Sequence, residues 1–123
     1  MGRIQGDLME RTFGFAANIL NLSEQLPNVQ QGWVVGKQVI RSGTSIGANV
    51  READSAFTDA DFAYCCNIAR KEACETHYWL QLCQHTGMLG GAELETAIGE
   101  ADELVRILST VVKATQQHIR ARK

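Results

Sequence analysis

The chain has 123 residues, 45% of them hydrophobic, a single Pro and a formal net charge of −2. That length suits one domain around a single core, and the composition excludes a disordered chain. The small negative charge excludes non-specific nucleic-acid binding over the whole surface, though not at a local basic patch. No run of about 18 apolar residues occurs, so no membrane span is expected.

The opening MGRIQGDLMERTF lacks a basic stretch followed by an apolar core, so no signal peptide is expected and a cytoplasmic location is. The first helix is predicted over 7–26. Leu8, Thr12, Phe15, Ile19, Leu22 and Leu26 recur at alternating spacings of four and three, with Phe13 and Ala16 widening the stripe. Pro27 ends it, because the residue before a proline avoids the α region. Asn28–Gln31 is too short a link for anything but an antiparallel return.

The second helix, over 32–55, contains RSGTSIGANVREA (Arg41–Ala53). Gly32, Gly36, Val39, Gly43, Gly47 and Val50 share one stripe, with Val35, Ile46 and Ala53 beside it. Each glycine inside a helix costs about 1 kcal/mol relative to alanine. Gly36, Gly43 and Gly47 are therefore expected to let another helix approach closely. On the opposite face Arg41, Ser45, Ala48 and Glu52 place small residues between a cation and an anion, a pattern suited to contact with another subunit.

Thr58 with Asp61 three residues on makes an N-cap for a third helix over 59–86. Phe62, Cys66, Ala69, Ala73, Thr76, Leu80 and Cys83 form one apolar stripe, and Tyr64, Ile68, Trp79 and Leu82 a second. A bundle of this size cannot bury both, so the second stripe is expected in a subunit interface. Cys65, Cys66, Cys74 and Cys83 sit too badly within one helix to pair and are expected as small core hydrophobes. Gly87, Gly90 and Gly91 mark a turn. The fourth helix runs over 92–120, acidic in its first half and basic at its end, as the helix dipole favours. The fold class is all-α: an antiparallel up-down-up-down four-helix bundle in a single domain, 1–123.

No catalytic or cofactor signature emerges. A di-metal carboxylate centre needs Glu-x-x-His pairs, and the chain has none. Cys74 and His77 could give half a zinc site, with no second half at a usual spacing. Glu72, at the margin of the third helix's core stripe, and Glu75, beside Trp79 and Ile68, need partners, for which Arg41, Arg51 and Arg70 are candidates. An interhelical or intersubunit polar network is the expected outcome.

RSGTSIGANVREA and KEACETHYWLQL (Lys71–Leu82), with DLMERTFGFA (Asp7–Ala16) and Leu26-Pro27, resemble the four-helix bundle proteins encoded in ribosomal-RNA intervening sequences, a family that includes relatives of the accessory protein of diversity-generating retroelements. The resemblance covers nearly the whole chain. It implies an up-down-up-down bundle assembled as a homopentameric barrel. In the retroelement accessory proteins it implies binding of nucleic acid and a reverse transcriptase through basic surfaces. Arg41, Asn49, Arg51, Glu52, Lys71, Glu72 and Glu75 carry over as interface or binding positions.

The expected function is a non-enzymatic oligomeric binding or scaffold protein that touches RNA weakly and meets a further protein partner. Lys37, Arg41, Lys113, Arg120, Arg122 and Lys123 are the candidate RNA contacts. The alternative class is an enzyme or a ligand or metal carrier using polar groups inside the bundle or at subunit junctions.

Overall fold

The computed structural model describes residues 2–122. Every stretch with apolar residues at helical spacing becomes an α-helix: α1 Gly6–Ser23, α2 Gln30–Asp54, α3 Asp59–Thr86 and α4 Ala92–Ala121. No strand occurs among the described residues. The α3 bounds are those the sequence predicts. The Thr58 Oγ1 accepts from the Asp61 N–H at 3.1 Å, and Gly87 ends the helix with φ 77°, a left-handed residue that glycine adopts without penalty.

Two other boundaries differ from expectation by more than one residue. α1 stops at Ser23, and the Gln25 and Leu26 N–H groups donate to the Leu22 and Ser23 carbonyls in tight turns. Leu26 keeps the apolar spacing, but Pro27 has already pulled the chain out of the helix. α2 begins at Gln30, because the Trp33 N–H donates to the Val29 carbonyl at 3.0 Å and extended Val29 acts as the cap without a side-chain bond.

Ile19, Ile46, Leu80, Leu94, Leu104 and Leu108 are fully buried and come from all four helices. A smaller cluster of Ala53, Phe62, Cys66 and Val112 closes one end of the core. The α2 glycines explain how α1 approaches so closely. A Cβ on Gly43 would lie 2.9 Å from Ile19 Cγ1 and Cγ2, and one on Gly47 would lie 3.3 Å from the Thr12 carbonyl oxygen. A Cβ on Gly36 would meet Leu26 Cδ1 at 3.2 Å. Between α2 and α3 the buried hydroxyls of Ser42 and Thr76 share a hydrogen bond of 2.8 Å.

Two expectations about the core are corrected. Phe13 does not widen the α1 stripe. It is 63% exposed, with the Arg51 guanidinium 5.2 Å from its ring centroid. Of the four cysteines only Cys66 and Cys83 are core residues, while Cys65 is half-buried and Cys74 exposed. Burial pushes the Cys66 thiol up to about 11, as expected for a packing residue rather than a nucleophile. Among the described residues, no helix is long and apolar enough to cross a membrane.

Candidate interaction surface

The third helix has two working faces. Its inner stripe is buried, and Tyr64, Ile68, Lys71, Glu75, Tyr78 and Leu82 recur at spacings of three and four on the side turned away from the core. Tyr64 is 67% and Tyr78 58% exposed, while Ile68 and Leu82 are half-buried. Trp79 sits at the edge of this face, packed partly against the core. Tyr78, absent from the sequence-based set, meets Trp79 edge-to-face at 5.2 Å between centroids. Its signal was available, since it completes the outward period.

A polar clamp joins this face to α2. The Arg41 guanidinium donates to Glu72 Oε2 at 2.7 Å and, through its other Nη, to Glu75 Oε2. Glu75 also accepts the Trp79 indole N–H at 3.0 Å. That indole bond first, and then Arg41, hold the Glu75 carboxyl below the usual carboxylate range. The Glu75 and Glu72 hydrogen bonds in turn raise Arg41. Charge-assisted bonds of this kind fix geometry as well as charge. The clamp ties α2 to α3 on the outward face.

Other residues expected in the network lie elsewhere. Arg51 covers Phe13, and Arg70 donates to Asn67 on its own helix at 2.9 Å. Asn49 donates to the Ser45 carbonyl at 2.8 Å. Glu52 and Lys71 are exposed and make no ion pair among the described residues. Arg51 fails as a partner because it lies on the α1 side of α2, over Phe13, and Arg70 because its guanidinium is held by Asn67.

The candidate RNA contacts do not form one patch. Arg41 is engaged by the two glutamates. Arg122 pairs with Asp59 at 2.5 Å, and Asp59 also takes Arg3 at 2.8 Å. Lys113 and Arg120 are exposed on α4, and Lys123 lies outside the described residues. Lys37 is exposed near the start of α2, some 25 Å of helix from the Asp54 end near which Asp59 holds Arg122. One turn before Lys37, Trp33 is 62% exposed and its indole N–H is held by Asn28 Oδ1 at 2.8 Å. Among the described residues no group of three or more His, Cys, Asp or Glu converges on a metal-sized position.

Residues 5–110 match the family model described as 23S rRNA-intervening sequence protein. A similar solved structure is that of a protein with unknown function from the S23 ribosomal protein family of Bacteroides thetaiotaomicron. The two are 42% identical, the match covers 85% of this chain and 97% of that one, and the TM-score is 0.79. No curated protein matches the chain.

Proposed function

Because the chain belongs to the 23S rRNA-intervening sequence protein family, we propose that it works as a non-enzymatic scaffold that binds copies of itself. The outward stripe of α3 carries this reading. Tyr64 and Tyr78 stand largely exposed in register with Ile68 and Leu82, and a stripe at coiled-coil spacing is poorly used facing water. The Arg41 clamp beneath it holds two helices as one rigid platform, which lowers the entropy cost of docking. In this reading the helices alternate in direction. The α2 contacts support that, since they run from Gly43 to Gly47 while their α1 partners run back from Ile19 to Thr12. A ring of five copies is the closure that the family resemblance implies, and a cytoplasmic location belongs to the same proposal.

Replacing both Tyr64 and Tyr78 with Glu tests the surface. Both side chains are mostly in water, so helix content should be unchanged by circular dichroism. Light scattering should show the mass falling to that of a single 13.5 kDa chain. An unchanged mass would place the contact on another face.

Trp33 favours a second property, weak and sequence-tolerant RNA binding on the α1/α2 side. An exposed indole held by Asn28 beside Lys37 combines a stacking ring with a cation, the pairing that single-strand binders use. Arg41 plays no part, being held by Glu72 and Glu75. Labelled single-stranded RNA should bind at low salt and weaken with salt at a log–log slope of about −0.7 per phosphate contact. Trp33→Ala with Lys37→Ala should abolish the binding, and retention in that variant would remove this reading.

A further inference from the structure

The packing of α1 on α4 is the open seam of the bundle. A cleft of about 570 Å³ runs between Gly14–Leu22 and Ala92–Glu100, roughly two helical turns long. Its floor is apolar, made by Phe15, Leu22 and Ala97, which are 3%, 3% and 5% exposed. The Arg11–Glu100 ion pair, 2.6 Å long, bridges the seam at one end of the cleft.

Gly14, on the wall of that cleft, lacks the explanation that the α2 glycines have. A Cβ there would meet nothing within 4 Å, whereas Gly43 and Gly47 face α1 atoms, and Gly36 faces Leu26 just beyond α1, at 3.3 Å or less. A mid-helix glycine that nothing in its own chain requires leaves room for a backbone from outside to approach closely.

Charge says what kind of backbone. α1 and the Ala92–Arg106 stretch of α4 carry seven acidic residues against Arg11 and Arg106, a net −5, in a chain whose total is −2. Glu93, on the rim of the cleft, makes no ion pair among the described residues. Such a field repels nucleic acid and attracts a cationic partner.

We infer that the α1/α4 seam is a docking groove for a basic amphipathic helix of another protein. The apolar face of that helix lies on Phe15, Leu22 and Ala97, its backbone passes over Gly14, and a Lys or Arg reaches Glu93. Two turns of helix fill the cleft, and apolar residues at i, i+3 or i+4 and i+7 make the contact. The groove is on a different face from the α3 stripe, so this inference stands whether or not the chain self-associates.

The test uses labelled synthetic peptides of about 12–15 residues, long enough to hold some helix, with a Leu/Ala face flanked by Lys. Fluorescence anisotropy should show saturable binding. The same peptide with Glu in place of Lys, or with its residue order scrambled, should bind on the order of tenfold more weakly or worse. Gly14→Leu and Glu93→Lys should each weaken the Lys peptide by a similar factor. Gly14→Ala is the control for folding, and it should raise the melting temperature while still narrowing the groove. Equal binding of the scrambled peptide would mean attraction by charge alone and overturn the groove. So would affinity unaltered by Gly14→Leu. A fall in the mass of the assembly in Gly14→Leu would show that a second copy covers the seam, and would overturn the inference of a foreign helix.

Discussion

Gly43→Leu is expected to cost about 1–3 kcal/mol or more of folding stability. Ile19 Cγ1 and Cγ2 already stand 2.9 Å from where a single Cβ would be, and Ile19 itself is fully buried. Three further carbons have no direction in which to go without driving α1 off α2. For a domain of 123 residues each kcal/mol corresponds to roughly 3–6 °C in melting temperature. The obstruction is one side chain, so Ile19→Ala, itself destabilising through the cavity it leaves, should recover part of the loss when combined with Gly43→Leu. Additive losses in that double-mutant cycle would mean that the two residues do not share the space. An unchanged melting temperature for Gly43→Leu alone would contradict the close approach of α1 to α2.

Gly32→Ala should be harmful with only one added carbon. Its Cβ would fall 1.9 Å from the Pro27 carbonyl oxygen and 2.9 Å from the Pro27 carbonyl carbon. These are backbone atoms, which cannot rotate away as a side-chain tip can. The connection between α1 and α2 would have to shift, and with it the Asn28–Trp33 hydrogen bond of 2.8 Å. Elsewhere in a helix the same change gains about 1 kcal/mol, so a net loss of similar or larger size has the opposite sign to the propensity effect. Thermal unfolding measures the loss, and the near-ultraviolet signal of Trp33 reports the broken bond. Equal or greater stability in Gly32→Ala would show that this turn is looser than its geometry implies.

The inner stripes of all four helices were legible in the sequence because burial and spacing are the same information on a helix. The whole α2 stripe from Gly32 to Ala53 is buried, and the missing Cβ atoms of Gly43 and Gly47 stand where an α1 neighbour does. Boundaries were less legible. Leu26 prolongs the apolar period past the real end of α1, and nothing in Val29-Gln30-Gln31 marks a cap. The outer surface was harder still, because a helical wheel assigns a residue to a flank without saying which helix lies there. Arg41 and Arg51 looked equivalent as partners for Glu72 and Glu75. Arg41 lies on the α3 side and makes both pairs, while Arg51 lies on the α1 side and covers Phe13. The α1/α4 cleft could not be read at all, since it depends on which two helices pack least closely. Its acidity was visible in the first half of α4 and explained there by the helix dipole alone.

Self-association through the outward face of α2 and α3 is the central claim, and the mass of the untagged protein in solution tests it most directly. Sedimentation equilibrium at several micromolar concentrations should give a constant integral multiple of 13.5 kDa for the natural chain, and the single-chain mass for the protein with Tyr64→Glu and Tyr78→Glu. A natural chain that sediments as one 13.5 kDa monomer throughout that range would contradict it.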